Sequence, residues 1–126
     1  MPMPASVQRS TACASRILAE VAAARDSMIG PDGRDPAASP PVGPEDNVVE
    51  MCAAVYAMPE QFREVGRSGV PLMWSWPSKF YSRCSRREEL ILAGALILKA
   101  IERLDLSETW RRHPLHIVNS GIGTAE

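Results

Sequence analysis

Apolar residues recur at helical spacing in three parts of the chain. In the first part, the steps of four and three place five residues on one face of a helix over residues 11–29. These residues are Cys13, Ile17, Val21, Ala24 and Met28. Gly30 and Pro31 end that helix. A second helix is predicted over residues 45–57, where Pro44 suits a first helical position and acidic Glu45 and Asp46 complement the positive end of the helix dipole.

The third predicted helix, over residues 86–104, is the most apolar part of the chain. Ser85 and Glu88 form an S-x-x-E capping box at its start. Its apolar side chains cover the whole circumference, which is typical of a helix that is buried on all sides. Because a three-helix chain is too short to wrap this helix completely, we expect a second copy of the protein to cover one face. Gly94 would let another backbone approach closely.

These elements predict an all-α protein, a small bundle of three main helices with long Pro/Gly-rich and aromatic loops. We expect a flexible N-terminus over residues 1–10, a single helical domain over 11–105 and a partly disordered tail over 106–126, in which Ser107 caps a short turn. Residues 30–44 contain five prolines and three glycines without periodicity, and this composition predicts a mobile connector.

Charge and cysteine content narrow the function classes. The formal net charge of −1 excludes the overall basic field on which bulk nucleic-acid binding depends. The three cysteines are far apart and form no C-x-x-C pair, so we expect buried thiols in a reducing compartment. Residues 1–10 lack the pattern of a signal peptide, a basic n-region followed by an apolar h-region, and the longest apolar run, Leu90 to Leu98, is half the length of a membrane span. A cytoplasmic protein without membrane contact is expected.

The segment before the third helix combines aromatic rings with cations. Trp74, Trp76, Phe80 and Tyr81 fall within eight positions. Arginines occupy the first turn of the following helix, where the dipole is already positive, so an anion there would be stabilising. We therefore predict a site for an anionic small molecule, a phosphorylated nucleotide whose base stacks on the rings. The candidate ligand-binding residues are Trp74, Trp76, Lys79, Tyr81, Arg83, Arg86 and Arg87. The alternative is that Glu88 and Glu89 neutralise the arginines and the rings only cover the core.

Other chemistry has weaker support in the sequence. Glu45, Asp46 and Glu50 are close together, but their spacing does not repeat as E-x-x-E. His113 and His116 are three apart and lack a third ligand nearby. Nucleophile elbows, P-loops and G-x-G-x-x-G turns do not occur in the sequence, which argues against an enzyme. We expect no catalytic residues, no cofactor and no metal site.

Residues 74–105 also resemble a family of small phage and prophage proteins. The family pattern is W-P-W followed by W-W-K-P-x-D-R-R-R-D-L-V-K-A-G-A-L-I-L-A-E-I-E-R-L-D, and the segments 93–98 (AGALIL) and 101–105 (IERLD) match it outright. Trp74, Trp76, Arg86 and Arg87 match further positions, and Ser85 stands at the family's capping Asp. Two positions depart from the pattern and weaken the anion-site charge: Ser82 replaces a lysine and Glu88 replaces the third arginine. The resemblance implies a phage-encoded cytoplasmic accessory protein, from a group without an established activity.

Together these observations predict a homo-oligomeric, phage-encoded protein that sequesters a phosphorylated nucleotide without catalysis, as a counter-defence against host immune signalling. Two alternatives stay open. A magnesium-dependent all-α nucleotide pyrophosphohydrolase requires Glu45, Asp46 and Glu50 to converge in space. A protein-binding inhibitor of a host factor requires no small-molecule ligand at all.

Overall fold

Three α-helices make up most of the structure, a computed structural model that describes residues 5–43 and 45–111 and side chains from residue 11 to residue 108, except that of Pro44. The helices are α1 (Ala5–Ser27), α2 (Val48–Ala57) and α3 (Arg86–Arg111). Single 3-10 turns lie at Pro36–Ala38, Glu60–Phe62 and Ser78–Phe80. Over the described residues there is no strand, only an isolated antiparallel bridge between Val65 and Pro71. The predicted all-α, three-helix fold is confirmed.

The helix ends differ from their predicted positions. α1 begins at Ala5 rather than at residue 11. α2 begins at Val48 rather than at residue 45, and Pro44 lies outside the described residues. α3 continues through Ser107 to Arg111, so Ser107 does not cap a separate turn. The capping box itself is confirmed: Glu88 N–H donates to Ser85 Oγ and Ser85 N–H donates to Glu88 Oε1, each at 3.1 Å. Residues 112–126 of the predicted tail lie outside the residues that the structure describes.

The core lies between α2 and α3, which run antiparallel. Asp46 just before α2 bonds to Arg103 near the end of α3, while the carbonyls at the end of α2 meet Arg86 at the start of α3. Alanines on both helices allow close packing around the larger side chains. The buried core comprises Val49, Cys52, Ala53, Val55, Tyr56, Trp74, Ala93, Leu96 and Ala100.

α3 is not covered on all sides by the rest of the chain, as expected for a chain of three helices. That a second copy covers the remaining side stays a prediction. Four of its large apolar side chains are about half exposed: Leu90, Ile97, Ile101 and Leu104. The close approach at Gly94 is made by α1 of the same chain, because a Cβ on Gly94 would lie 3.2 Å from Val21 Cγ1. Gly94 thus serves intramolecular packing, although it lies on the same helix face as Leu90 and Ile97, four residues after the first and three before the second.

Two ion pairs attach the predicted mobile connector, residues 30–44, and the residues just after it to α3. Asp35 caps the turn at Pro36–Ala38, and its carboxylate accepts a 2.7 Å bond from Lys99 Nζ. Asp46 accepts at 2.7 Å from Arg103, whose Nε also donates to the Ser39 carbonyl. Because Lys99 and Arg103 are one helical turn apart, they hold both ends of this segment along α3. We call residues 35–46 the strap.

The cysteines differ in exposure. Cys52 is buried in the core, as predicted, whereas Cys13 on α1 is exposed and Cys84 is partly exposed. The expectation of three buried thiols was therefore wrong for two of them. Cys13 is in solvent because residues 11–19 of α1 are all exposed. Within the described part of the chain, no helix has both the length and the apolar character needed to cross a bilayer.

Candidate functional site

Trp74 is the centre of an aromatic cluster between α2 and the loop that precedes α3. Its ring meets Tyr56 and Tyr81 edge-on, with centroids 5.2 Å away in each case, and meets Trp76 edge-on at 6.1 Å. Trp74 is buried, and its Nε1 donates to the Pro77 carbonyl. Tyr56 and Tyr81 stack with centroids 5.7 Å apart. Trp74 and Tyr81 thus contribute to the core, as the alternative interpretation of the rings expected.

Arg86 is held by the end of α2. Its guanidinium donates to the carbonyls of Tyr56 at 2.8 Å and Ala57 at 2.6 Å, and to Glu89 Oε1 at 3.2 Å. The C-terminal end of a helix carries partial negative charge, so a cation there is stabilising. The positive charge of Arg86 is therefore unfavourable in the first turn of α3 but favourable beside the last turn of α2. This internal partner replaces the anion that the sequence predicted.

Arg87 and Arg83 also have partners within the chain. Arg87 makes two bonds to Glu20 on α1, at 2.7 and 2.8 Å, and this pairing lowers the pKa of the Glu20 carboxyl. Arg83 donates to the Gly69 carbonyl at 2.9 Å and lies over the Tyr81 ring. These two arginines join the loop and α1 to the body of the protein, and they do not converge with Arg86 on one anion site.

Arg63 is a structural cation that the sequence did not single out. Its side chain is 2% exposed and makes two 2.9 Å bonds to Glu89, with further bonds to the Met58 carbonyl at 2.8 Å and Tyr81 Oη at 2.9 Å. Arg63 keeps the pKa of the Glu89 carboxyl below its usual value, against the opposing effect of burial. The sequence signal for this ion pair was Glu89 itself. Glu89 is an acid on the inner face of α3, and that face is apolar from the next turn onward.

A cavity of about 290 Å³ lies beside this cluster, between the end of α1, the aromatic loop and α3. Lys79 and Ser82 supply its polar side chains, and Lys79 Nζ lies 5.3 Å from the Phe80 ring centroid. The aromatic and aliphatic lining residues are Tyr56, Trp74, Trp76, Phe80, Met28, Ile29, Leu92 and Leu96. We call this space the aromatic cavity.

The predicted site residues therefore separate into two groups. Trp74, Trp76 and Lys79 line the aromatic cavity. The other four, Tyr81, Arg83, Arg86 and Arg87, make structural contacts outside its lining. The sequence missed the wall contributed by α1 and α3, because apolar residues at helical spacing look the same whether they face a cavity or a filled core.

The carboxylates of the enzyme alternative do not converge. Asp46 is bonded to Arg103, which is the main cause of its lowered pKa, while Glu45 and Glu50 are exposed. Across residues 5–43 and 45–111, no group of three or more His, Cys, Asp or Glu side chains is placed to hold a metal ion. His113 and His116 lie outside the described residues.

Comparisons with known proteins do not assign the chain to a family. No protein-family profile, no curated protein and no solved structure matches it significantly. The aromatic cavity and its surroundings are therefore the basis for inferring a function.

Proposed function

We propose that the protein binds a phosphorylated nucleotide without catalysing its conversion. The base enters the aromatic cavity and the phosphate lies at its mouth beside Lys79. The observation that carries this proposal is the composition of the lining, which combines four aromatic rings with a single exposed cation.

The cavity has the size and rigidity that a nucleobase needs. Its volume of about 290 Å³ is at the lower end of the range for small-molecule sites, about 300–1,000 Å³. Trp74 is fixed by Tyr56, Tyr81 and the Pro77 carbonyl, so little conformational entropy is lost when a ligand packs on that side. Stacking of a base on an aromatic side chain contributes about 1–3 kcal/mol.

Fewer cations can bind the phosphate than the sequence suggested. Arg86 and Arg87 are committed to the end of α2 and to Glu20, which leaves Lys79 as the cation in the cavity lining. We therefore expect affinity to depend mainly on the base, with modest gain from each added phosphate. Substitution of Lys79 becomes the diagnostic change in place of Arg86 and Arg87.

The biological setting follows from the resemblance of residues 74–105 to small phage proteins. In the cytoplasm of a bacterial host, a non-catalytic binder of this kind would sequester a nucleotide signal of host immunity and so act in counter-defence. We further propose that it works as a homo-oligomer. The pyrophosphohydrolase alternative loses its basis with Asp46 bonded to Arg103.

A thermal-shift screen against linear and cyclic nucleotides tests the proposal. A ligand present at 100 times its dissociation constant adds about 2.7 kcal/mol of apparent stability, which gives a clear rise in melting temperature. Lys79→Ala should reduce the shift for a nucleotide but not for the corresponding nucleoside. Arg67→Ala removes an exposed cation outside the cavity lining and is the matched control, expected to behave as wild type.

Two results would contradict the proposal. One is the absence of any shift across the panel, which would favour the protein-binding inhibitor. The other is a shift that Lys79→Ala and Arg67→Ala reduce equally, because this would indicate general electrostatic attraction and not a site at the aromatic cavity.

A further inference from the structure

The end of α1 forms one wall of the aromatic cavity. Met28 and Ile29 line the cavity directly after the helix ends at Ser27, and Ile29 is exposed, so this wall separates the cavity from solvent. Met28 packs against the edge of the core, whereas the opposite lining residues Tyr56 and Trp74 belong to the core itself. The position of this wall therefore depends on what holds the end of α1.

Ion pairs hold the end of α1 against α3. Arg25, one turn before Met28, donates from Nε to Glu102 at 2.6 Å and makes a second bond to the same carboxylate. Asp35 contacts both helices, because its carboxylate accepts from Lys99 Nζ at 2.7 Å and lies 3.8 Å from a guanidinium nitrogen of Arg25. We call Arg25, Asp35, Lys99 and Glu102 the latch. The latch joins α1, the start of the strap and α3 at one point.

A tight turn connects the cavity wall to the latch. Gly30 N–H donates to the Arg34 carbonyl at 2.8 Å, and Gly33 N–H donates to the Gly30 carbonyl at 2.9 Å. Gly33 has a φ of 78°, which glycine adopts without steric cost. Because these bonds close the turn, a displacement of Asp35 is transmitted to Ile29 and is not absorbed between them.

Polar contacts hold the start of the strap in place. No residue of the turn at Pro36–Ala38 is buried, so apolar burial contributes little to its attachment. The Lys99 side chain is 0% exposed, and an ion pair sheltered in this way is screened less than a surface pair. The position of this turn on α3 therefore depends on the bond between Asp35 and Lys99.

We propose that Asp35 and Lys99 are positioning residues that control access to the aromatic cavity. With their bond intact, the end of α1 closes one side of the cavity. When the bond opens, the wall formed by Met28 and Ile29 moves away and the cavity becomes accessible from that side. That the molecule admitted is a nucleotide rests on the proposed function, whereas the motion itself does not.

Thiol labelling of the full chain without nucleotide tests this control. In a Cys13→Ser, Cys84→Ser background, Met28→Cys places a thiol in the cavity wall, while Cys52, buried in the core, reports on unfolding of the whole protein. Lys99→Met should speed labelling at position 28 by about fivefold or more, which corresponds to about 1 kcal/mol. The labelling rate of Cys52 should not change, because Lys99→Met leaves no buried charge without a partner.

Two further variants and the contrast between the two thiols keep the test specific. Asp35→Asn should speed labelling at position 28 more than labelling of Cys52. Glu45→Gln neutralises an exposed acid of the strap outside the latch, and this control should be labelled as wild type is. Circular dichroism confirms that each variant is helical.

Two results would overturn the proposal. One is equal acceleration at both thiols, which would show general destabilisation and not local opening. The other is a labelling rate at position 28 that neither Lys99→Met nor Asp35→Asn changes. Because nucleotide is absent, both results leave the ligand proposal intact, and a nucleotide screen without a hit would leave the labelling result intact.

Discussion

Arg63 and Glu89 form a buried ion pair with two N–O distances of 2.9 Å, joining the turn after α2 to the first turn of α3. The Arg63 side chain is 2% exposed and that of Glu89 is 10% exposed. Tyr81 Oη accepts a third bond from the same guanidinium, which connects the pair to the aromatic cluster. The pair therefore sets the position of the loop that carries the aromatic cavity.

Removal of Arg63 should be among the most destabilising single changes in the protein. Arg63→Ala leaves Glu89 buried with only Arg86 as a charged partner, and loss of one member of a buried pair costs about 3–5 kcal/mol. Urea denaturation followed by circular dichroism measures this change. The double variant Arg63→Met, Glu89→Leu should recover much of the loss, because no unpaired charge remains. A loss below about 1 kcal/mol for Arg63→Ala would show that Glu89 is solvated and not buried.

Stability should fall in acid. Folding lowers the pKa of Glu89, Asp35 and Asp46, chiefly through bonds to Arg63, Lys99 and Arg103 respectively. A carboxyl with a lowered folded-state pKa contributes stability that is fully present above its unfolded-state pKa, near 4, and is lost as the pH falls through the folded-state value. The free energy of unfolding should therefore be constant from about pH 7 to pH 5 and decrease below that.

Asp46→Asn provides the control for this pH dependence. The variant should be less stable than wild type at neutral pH, since Arg103 loses its charged partner, but its stability should decrease less steeply in acid. Denaturant titrations at a series of pH values measure both. Parallel curves for variant and wild type would contradict the assigned role of Asp46.

Substitution of Lys99 and substitution of Asp35, which form an ion pair, should lower the stability of the protein by different amounts. The Lys99 side chain is 0% exposed, whereas that of Asp35 is 43% exposed and lies 3.8 Å from Arg25 as well. Lys99→Met removes the buried charge and leaves a solvated carboxylate, so stability should stay within about 1 kcal/mol of wild type. Asp35→Asn leaves the ammonium buried and should cost about 1–3 kcal/mol, discounted for the exposure of Asp35. Thermal unfolding of both variants checks the order, and equal losses would contradict it.

The cysteines should react with a thiol reagent in the order of their exposure. Cys13 is exposed and should react first in the folded protein. Burial raises the pKa of Cys84 and of Cys52, which lowers the thiolate fraction of both, and Cys52 is also fully enclosed. Labelling followed by mass spectrometry should find Cys84 slower than Cys13, and Cys52 protected until denaturant is added. Rapid labelling of Cys52 under native conditions would contradict the packing of α2 on α3.

The helices could be predicted from the sequence because their signals are local. The capping box at Ser85 and Glu88 fixes the start of α3, and the periodic stripe from Cys13 to Met28 identifies α1. The end of α3 was missed because Ser107 resembles a cap, although the helix continues through it. A helix bound was therefore predicted correctly where a clear side-chain signal marks it, as at the start of α3, and was missed at the starts of α1 and α2 and at the end of α3.

The strap and the arginine contacts could not be predicted, because they depend on pairs that are distant in sequence. Lys99 and Asp35 are 64 residues apart, and Arg87 and Glu20 are 67 apart. A Pro-rich segment looks mobile when its composition is considered alone, since the cations that hold it belong to another helix. For the same reason Arg86 and Arg87 resemble an anion site in the sequence, which does not show their partners in α2 and α1.

The measurement that most directly tests the nucleotide proposal is calorimetric titration of the full chain with the nucleotide that gives the largest thermal shift, followed by chromatography of the recovered ligand. Saturable binding of one nucleotide per chain is expected. Trp76→Leu should weaken it by about tenfold or more, since a base–aromatic stack contributes about 1–3 kcal/mol, and the nucleotide should be recovered intact. Unchanged affinity in Trp76→Leu would contradict a site in the aromatic cavity, and recovery of a cleaved nucleotide would contradict binding without catalysis.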